Sequence, residues 1–545
     1  MKIVVIGGVA AGTKAAAKLR REMPDARVLL IAAGREISYA GCGLPYYIGG
    51  TIRDRAQLVV NTPEQFARAT GVEVHTREEA TGVDREARRV TARSLDTGEE
   101  RAYDYDKLVV AVGASAVRPP IAGADLQGVF TLRSPDDAEA LRVWLKERAA
   151  RRIAIVGGGP IGLEVAEGLL AKGIGATVVE MAPHILPGYD VDMCAYMEHF
   201  LTEKGIEIRT GARVEAILGE GRATGLRTDQ GEVAADAVLL SVGIRPNTAF
   251  LADSGIERLP NGTVRVDRTM RTNDPDIYAV GDCVTVTNRI TGKPQWSPMG
   301  SSANLEGRLA ALDLAGEDEE YPGVLGTGVV KLPGIEAGRT GLTAAQAREE
   351  GFDAVSAIAV VDGRPHYYPG ASVLIVKMVA ECGTMRLLGM QVFGGGGVDK
   401  AVDVAVTAIS LGATLPQLHN MDFAYAPPFS TAIHPVAAAA NVLINKMAGN
   451  MDSVDPVDFQ AGAYDGWRLV DAGRTATVPG ALYVNPETVH GPLPELPKDA
   501  KLLLVCARGK GAYFLQNRLR HFGYRDTKVL EGGMTFNGWR FKEQG

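Results

Sequence analysis

The chain has 545 residues, of which 46% are hydrophobic and 23% are charged, and its formal net charge is −7. A chain of this length exceeds what one hydrophobic core supports, so three or more domains are expected. The acidic balance argues against a nucleic-acid surface, and the sequence lacks the run of about 20 apolar residues that a membrane span needs. Five scattered cysteines and a start without a signal peptide indicate the reducing cytoplasm.

The first predicted elements are a β-strand, a glycine-rich turn and an α-helix. Residues 3–6 are a continuous apolar run, Gly7, Gly8 and Gly12 mark the turn, and an alanine-rich helical segment continues to about residue 21. In a βαβ unit of this kind, the helix N-terminus can hold a pyrophosphate. The segment therefore predicts a dinucleotide site.

This turn departs from the usual fingerprint in two places. Val9 holds the position of the middle glycine, and Ala32 and Ala33 stand where an acid that binds ribose is expected. A dinucleotide bound here must find other partners for its ribose.

The helix after this turn carries three cations, Lys14, Lys18 and Arg21, at positions i, i+4 and i+7. Residues at this spacing share one face of a helix. Two interpretations stay open, a solvated basic face or a site for phosphate groups.

The next distinctive stretch places a cysteine between two glycines, Gly41-Cys42-Gly43, shortly before Pro45. The glycines let other groups approach the sulfur closely, and proline suits the first turn of a helix. A cysteine just before a helix N-terminus has a lowered pKa, and its thiolate is the nucleophile. The pattern predicts a reactive cysteine, with a buried structural cysteine as the alternative.

A second strand, turn and helix spans residues 153–172 with the complete spacing Gly157-x-Gly159-x-x-Gly162. Glu180 ends the following strand, where a carboxylate accepts hydrogen bonds from ribose hydroxyls and repels a 2′-phosphate. Two such units predict two dinucleotide sites, and the second favours NADH over NADPH. The alternative for Glu180 is an exposed acid at a strand end.

Two further apolar strands end in glycine. One ends at Gly113, and the other, near residues 277–280, ends in Gly281-Asp282. A carboxylate at the carboxyl end of a strand in such a fold is placed to bind a polyol.

The last third of the chain has no glycine fingerprint. Residues 323–446 contain strand-like runs and a helical run, and residues 447–460 are polar with Gly, Pro and Asp, which is typical of a linker. Residues 461–545 form a small α/β pattern whose strand 501–505 runs directly into Cys506. Backbone N–H groups of a loop between a strand and a helix can stabilise a thiolate there.

Together these features resemble the two-dinucleotide flavin disulfide reductases. Residues 38–46 carry one cysteine without a partner at C-x4-C spacing. They are similar to the branch that includes coenzyme A disulfide reductases, NADH peroxidases and NADH oxidases. This resemblance covers residues 1–446.

The tail resembles a rhodanese domain in its loop of residues 506–512, in residues 531–534 and in Trp539. It departs from that family at Gly511, where Arg is usual, and at residues 470–472, where Asp-x-Arg is typical. A structural tail without activity is the alternative.

The resemblance implies an α/β fold with two Rossmann-like dinucleotide-binding domains, an α+β dimerisation domain and a small α/β rhodanese domain. The implied boundaries are 1–150 and 245–322 for a discontinuous FAD-binding domain, 151–244 for the NAD(H)-binding domain, 323–446 for the dimerisation domain, 447–460 for the linker and 461–545 for the rhodanese-like domain.

The implied protein is a cytoplasmic homodimeric enzyme that binds FAD. It uses NADH, with NADPH as the second candidate, to reduce coenzyme A disulfide, coenzyme A persulfide or polysulfide through Cys42, while Cys506 handles sulfane sulfur. No metal, nucleic acid or membrane partner is expected. Two alternatives stay open, an NADH peroxidase or oxidase that uses a Cys42 sulfenic acid, and a sulfur carrier or redox sensor.

The resemblance also assigns roles to residues. The implied catalytic residues are Cys42, Cys506, Tyr367, Tyr368 and Tyr425, with aromatic packing at a dimer interface as the alternative for the tyrosines. The implied cofactor-binding residues are Gly7, Gly8, Ala10, Ala11, Gly12, Ala111, Gly113, Gly157, Gly159, Ile161, Gly162, Glu180, Gly281 and Asp282. The implied substrate-binding residues are Lys14, Lys18, Arg21, Ser38, Asn304 and Arg508.

Overall fold

The computed structural model describes residues 1–542. The chain forms two compact units, Met1–Pro183 with Ile206–Val324, and His184–Gly205 with Leu325–Gly545. We call them the N-terminal unit and the C-terminal unit. Across residues 1–542, none of the helices is long and apolar enough to cross a membrane.

As far as Val324 the chain contains 21 strands and seven α-helices. The strands are β1 (Lys2–Ile6), β2 (Arg27–Ala32), β3 (Glu73–Thr76), β4 (Glu78–Asp84), β5 (Arg89–Ser94), β6 (Glu100–Asp104), β7 (Lys107–Val110), β8 (Ala114–Ala116), β9 (Val129–Thr131), β10 (Arg152–Val156), β11 (Gly175–Val179), β12 (Glu207–Arg209), β13 (Val214–Leu218), β14 (Gly225–Thr228), β15 (Gly231–Ala234), β16 (Ala237–Leu240), β17 (Ile244–Pro246), β18 (Val264–Arg265), β19 (Ile277–Ala279), β20 (Val284–Thr287) and β21 (Pro294–Trp296). The helices are α1 (Ala10–Glu22), α2 (Leu44–Gly49), α3 (Pro63–Thr70), α4 (Pro135–Glu147), α5 (Pro160–Ala171), α6 (Val191–Glu203) and α7 (Gly300–Leu314).

The described residues after Val324 form a further ten strands and seven α-helices. The strands are β22 (Gly328–Leu332), β23 (Ile335–Gly341), β24 (Ala354–Asp362), β25 (Val373–Glu381), β26 (Leu387–Gly394), β27 (Ser453–Val454), β28 (Arg468–Asp471), β29 (Leu482–Tyr483), β30 (Leu502–Val505) and β31 (Thr527–Leu530). The helices are α8 (Ala344–Glu349), α9 (Val398–Ser410), α10 (Leu415–His419), α11 (Pro435–Met447), α12 (Pro456–Gln460), α13 (Lys510–His521) and α14 (Gly533–Lys542).

The N-terminal unit contains two five-stranded parallel sheets. The first has the order β19-β7-β1-β2-β3, and the second has the order β12-β11-β10-β16-β9. In both β1 and β10 every residue after the first is buried, as expected for central parallel strands that are covered on both faces. Both predicted βαβ units are therefore present, and the glycine turns lie at the carboxyl ends of β1 and β10.

The C-terminal unit contains an antiparallel sheet and a parallel sheet. The antiparallel sheet has the order β22-β23-β26-β25-β24, and its apolar face packs against α9 and α11. The parallel sheet has the order β27-β31-β30-β28-β29. Residues 447–460, for which the composition predicts a linker, contain β27 and α12, and β27 pairs with β31.

A buried ion network joins α6 to the antiparallel sheet within the C-terminal unit. Lys377 on β25 is 3% exposed, and its Nζ lies 2.7 Å from Asp192 Oδ2 and 3.4 Å from Asp190 Oδ2. Gln391 Nε2 donates to Asp190 at 2.7 Å. Burial by itself would lower the pKa of Lys377, but the two carboxylates raise it above its usual value.

We expect Lys377→Met to lower the free energy of unfolding of the C-terminal unit by about 3–5 kcal/mol, because two buried carboxylates lose their cation. Urea unfolding followed by circular dichroism measures this change. Lys331→Met, at an exposed position on β22 of the same sheet, is the matched control. Equal losses in both variants would contradict a stabilising role for the network.

Candidate active site

The turn after β1 brings backbone directly against backbone. Gly7 has φ +113°, and a Cβ on it would lie 2.1 Å from the carbonyl oxygen of Ala111. A Cβ on Gly12 would lie 1.8 Å from the carbonyl oxygen of Gly7. Both positions exclude any side chain, so the N-terminus of α1 is held next to the ends of β1 and β7.

The turn after β10 repeats this geometry and leaves an opening. Gly157 has φ +110°, and a Cβ on Gly162 would lie 2.4 Å from the Gly157 carbonyl oxygen. Among the described residues other than its two chain neighbours, no atom lies within 4 Å of a Cβ placed on Gly159. This open space at the start of α5 is what a dinucleotide pyrophosphate needs, so the turn fits such a group.

Glu180 lies against the second turn. Its Oε2 accepts a hydrogen bond from the backbone N–H of Gly158 at 2.7 Å, and its Oε1 accepts one from the N–H of Ala182 at 2.7 Å. The carboxylate is therefore fixed beside the opening at Gly159, with lone pairs left for a ribose hydroxyl. Ile161, at the second position of α5, is 40% exposed beside the same opening.

The carboxyl end of β19 holds the other predicted carboxylate. Asp282 accepts a hydrogen bond from Arg133 Nη2 at 2.6 Å. Gly281, with φ +81°, donates its N–H to Glu306 Oε2 at 2.7 Å. Glu306 is 1% exposed, and burial raises its pKa to about 8.

Sequence reasoning missed Arg133 and Glu306. Neither carries a local signal, since Arg133 precedes a helix cap and Glu306 is one acid within α7. Of the remaining predicted cofactor residues, Gly8, Ala10 and Ala11 lie at the first turn and the start of α1, and Ala111 and Gly113 follow β7. A Cβ on Gly8 would meet the side chain of Ile37, and a Cβ on Gly113 would lie 3.7 Å from Arg133.

Cys42 lies in a 3-10 turn, Gly41–Gly43, that leads directly into α2. Its side chain is exposed, and the described cysteines form no disulfide. Leaving out its two chain neighbours, no atom of the described part of the chain lies within 4 Å of a Cβ placed on Gly41. There is therefore free space beside Cys42, as the glycine at position 41 predicts.

The prediction of a lowered pKa for Cys42 is wrong. Partial burial, the carboxylate of Glu164 and that of Asp282 raise the pKa of the thiol, and only Arg133 lowers it. Helix α2 has six residues, so its dipole is short. Burial is the largest cause of the raised pKa of Cys42, and two carboxylates from distant parts of the chain add to it.

A cleft of about 340 Å³ lies along α1 in the N-terminal unit. It is lined by four of the predicted substrate residues, Lys14, Arg21, Ser38 and Asn304. Lys18 forms an ion pair with Glu22 on the same helix and is not part of the lining.

Sequence reasoning missed three polar residues of this cleft, Thr13, Tyr39 and Asn61. Asn61 Nδ2 donates to Ser38 Oγ at 3.5 Å, and the N–H of Val60 donates to the Ser38 carbonyl at 2.8 Å. Tyr39 adjoins Ser38 in sequence, whereas Asn61 is brought there by the fold.

In the C-terminal unit, two of the three predicted tyrosines meet. Tyr367 and Tyr425 are 65% and 50% exposed, and the hydrogen bond that the Tyr367 hydroxyl makes with Tyr425 raises the pKa of Tyr367. Tyr368 is half-buried, and its N–H donates to the Pro365 carbonyl at 2.8 Å. The structure thus pairs Tyr367, rather than Tyr368, with Tyr425.

Cys506 directly follows β30, is 5% exposed and receives two backbone donors. The N–H groups of Gly509 and Ala512 point to its Sγ at 3.2 and 3.4 Å. A Cβ on Gly511 would lie 2.5 Å from the Ala472 carbonyl oxygen, so this position cannot take the arginine usual in rhodaneses.

Arg508, in the same loop, forms an ion pair within the C-terminal unit. Its Nη1 lies 2.6 Å from Asp362 Oδ1 at the end of β24. The tail is anchored at a second point by Glu531, which is 3% exposed and accepts from the N–H of Ile358 at 2.9 Å.

Comparison with known proteins defines the class of this protein. The sequence model described as pyridine nucleotide-disulphide oxidoreductase matches residues 1–301, and the dimerisation domain of the same description matches residues 329–437. The chain therefore belongs to the pyridine nucleotide-disulphide oxidoreductases, enzymes that depend on FAD and NAD(P)H. The predictions of an enzyme, of its family and of both cofactors are confirmed.

Among curated relatives, the chain is 35% identical over 443 residues to the NAD(P)H coenzyme A polysulfide/persulfide reductase of Pyrococcus horikoshii, covering 81% of this chain and 98% of that protein. It is 34% identical over 450 residues to the NADH oxidase of Methanocaldococcus jannaschii, covering 82% of this chain and 100% of that protein.

Two solved structures match nearly the whole chain. The reduced CoADR-RHD protein of Bacillus anthracis has a TM-score of 0.94 and 30% identity, covering 99% of this chain and 98% of that one. The NAD-dependent persulfide reductase from A. fulgidus has a TM-score of 0.94 and 35% identity, covering 98% of this chain and 100% of that one.

We expect Gly12→Ala to lose most of its bound flavin and about 2 kcal/mol or more of unfolding free energy, because its Cβ collides with the Gly7 carbonyl. The ratio of flavin to protein absorbance measures the loss. Gly159→Ala makes the same change where no atom lies within 4 Å, so it should keep its flavin and raise only the KM for NADH. Full flavin content in Gly12→Ala would contradict the argument.

Proposed function

We propose that this enzyme uses NADH to reduce coenzyme A disulfide, coenzyme A persulfide or polysulfide at Cys42, and that it acts as a homodimer. The observation that carries the proposal is the cleft along α1, because it places Lys14 and Arg21 in the same lining as Ser38, four residues before Cys42. Cations suit the phosphates of coenzyme A, and a long pantetheine arm can extend from them to the sulfur. The printed names of the relatives support this substrate class.

The cofactor residues are proposed to hold FAD at the first glycine turn and NADH at the second. When bound, FAD would serve as the two-electron carrier between NADH and sulfur. Asp282 would bind the flavin polyol, and Glu180 the adenosine ribose of NADH. Ala32 lies buried at the end of β2, so other groups must bind the flavin ribose.

We propose that the Cys42 sulfur carries out a thiol–disulfide exchange with the substrate. The Cys42 thiolate attacks one sulfur of the substrate disulfide, a Cys42–sulfur bond forms, and one coenzyme A leaves as a thiolate that takes a proton. Two electrons then break the mixed disulfide, which frees Cys42 and the second coenzyme A. The hydrogen-bonded Tyr367 and Tyr425 are proposed to donate a proton to a leaving thiolate across the dimer interface.

Residues 461–545 are proposed to be a rhodanese-like domain after a dimerisation domain at 323–446, and residues 447–460 between them contribute β27 to the sheet of the tail. The FAD-binding segments would be 1–150 and 245–322, and the NAD(H)-binding segment 151–244. The two N–H donors at Cys506 suit a persulfide anion, which supports a sulfur-carrying role. Because Arg508 is paired with Asp362, an anionic sulfur donor would have to compete for it.

A second candidate is an NADH oxidase that cycles through a Cys42 sulfenic acid. One observation favours it, the 34% identity to a relative named NADH oxidase. It leaves the Cys506 loop without a role.

We expect a clear preference for NADH over NADPH, measured as the ratio of the two kcat/KM values, since Glu180 repels a 2′-phosphate. Glu180→Gln should narrow that ratio by about tenfold, because the repelling charge is removed. Glu207→Gln, at an exposed position on β12, is the matched control and should leave the ratio unchanged. A wild-type preference for NADPH would contradict this prediction.

We expect Cys42→Ser to abolish NADH-dependent reduction of every sulfur substrate. Cys506→Ser should spare coenzyme A disulfide, which needs only Cys42, and should slow the use of persulfide or polysulfide. Steady-state NADH oxidation with each substrate measures both effects. If Cys506→Ser keeps wild-type rates with all sulfane-sulfur substrates, the tail has no catalytic part in the reaction.

A further inference from the structure

A cavity of about 120 Å³ lies in the C-terminal unit at the start of α9. Three segments line it: the loop between β24 and β25, the glycine loop before α9 and the loop before α11. At about 30 Å³ per water molecule, this space equals about four waters, which suits one small polar ligand. The lining residues that matter here are Arg364, Gly396, Gly397, Lys400, Ser430 and His434.

The hydroxyl of Ser430 is a buried polar group without a partner. Ser430 is 1% exposed, and within the described residues its Oγ forms no hydrogen bond. An unpaired buried hydroxyl costs free energy, and native structures satisfy nearly all such groups. Because Ser430 lines the cavity, a ligand bound there can supply the missing partner.

Two cations line the same cavity. Arg364 and Lys400 are exposed, and neither forms an ion pair within residues 1–542. Two carboxylates lie near the start of α9, since Glu336 accepts from the N–H of Val398 at 3.4 Å and Asp399 is in the first turn. Neither carboxylate lines the cavity, so its wall carries positive charge alone.

Helix α9 begins at this cavity with open glycine backbone. Gly397 is its N-cap residue, with φ +79°, and the N–H groups of Gly396 and Gly397 have no acceptor in the described part of the chain. Apart from chain neighbours, no described atom lies within 4 Å of a Cβ placed on either glycine. The 13-residue helix adds the positive end of its dipole, which favours an anion.

His434 adds a neutral imidazole to the same wall. Its Nδ1 accepts from the N–H of Val436 at 3.2 Å, so the proton of the neutral ring is on Nε2. Burial, and then the charge of Lys400, lower the pKa of His434 to about 4. Near neutral pH the ring is therefore a hydrogen-bond donor without charge.

We propose that this cavity binds a single tetrahedral oxyanion, such as phosphate, through Arg364, Lys400, the Ser430 hydroxyl and the start of α9. Such an anion accepts several hydrogen bonds at once, and those from cations are the strongest. The loop that carries Tyr367 and the loop that carries Tyr425 both line the cavity, so a bound anion would hold these loops together. The inference goes beyond the proposed function, because it involves neither NADH nor a sulfur substrate.

Calorimetric titration with sodium phosphate tests the site in the full-length flavin-loaded enzyme. Lys400→Met should weaken phosphate binding by about tenfold or more, and Ser430→Ala by about three- to tenfold, because they remove a charged and a neutral hydrogen bond. Lys501→Met removes an exposed lysine of the same unit that does not line the cavity, so it should bind phosphate as wild type does.

Thermal unfolding separates a ligand role of Ser430 from a structural one. Without phosphate, Ser430→Ala should unfold at the wild-type Tm or above, since it removes an unpaired buried hydroxyl. Phosphate should raise the Tm of wild type, because it binds the folded state, and should raise that of Ser430→Ala less. A variant that is less stable without phosphate and keeps the full response to phosphate would show that the hydroxyl is structural.

Titration with coenzyme A distinguishes the source of the anion. If the site takes a free oxyanion, Ser430→Ala leaves the affinity for coenzyme A unchanged, whereas a site for the phosphate group of a larger ligand weakens it. The inference is overturned if wild type binds neither phosphate nor sulfate, or if Lys400→Met and Ser430→Ala bind both as wild type does. Since no measurement involves turnover, these outcomes are independent of the reaction proposed for Cys42.

Discussion

Close contact between backbones, possible only at glycine, is the constraint on which the N-terminal unit depends. Gly12 lies against the Gly7 carbonyl, Gly49 lies against Gly168, and a Cβ on Gly307 of α7 would lie 2.4 Å from the Ala11 carbonyl oxygen. These contacts bring α1, α7, α2 and α5 to the carboxyl ends of the strands. The first cofactor turn contains the contact of Gly12 with Gly7, and Cys42 lies just before α2, which Gly49 holds against Gly168.

In the C-terminal unit, buried charged side chains rather than glycine contacts hold the packed segments together. Lys377 ties α6 to the antiparallel sheet through two aspartates, and Glu531 accepts from Lys446 Nζ and from Ser453 Oγ at 2.7 Å. Burying such groups is costly unless every partner is present, so these networks fix one arrangement of the packed segments. The hydrogen bonds of Glu531 also help to position the Cys506 loop. Glu531 lies two residues before Gly533, and Gly533 packs on the Cys506 carbonyl.

The two cysteines proposed to handle sulfur have opposite electrostatic surroundings. Cys42 is exposed and faces carboxylates, whereas Cys506 is buried and receives two backbone N–H groups. Carboxylates disfavour an anionic sulfur, and amide donors favour one. The second environment suits a sulfur proposed to carry a persulfide anion, whereas the attack proposed for Cys42 requires its thiolate.

The sequence by itself determined the features that depend on neighbours along the chain. The spacing from Gly157 to Gly162, the glycines around Cys42 and the strand that ends at Cys506 are local, because backbone sterics act over a few residues. Only the tertiary structure decided the direction of the Cys42 pKa shift and the pairing of Tyr367 with Tyr425. Glu164 and Asp282 lie 122 and 240 residues after Cys42 in the sequence. Electrostatic effects act through space, so no local pattern reveals which charges the fold brings to a sulfur.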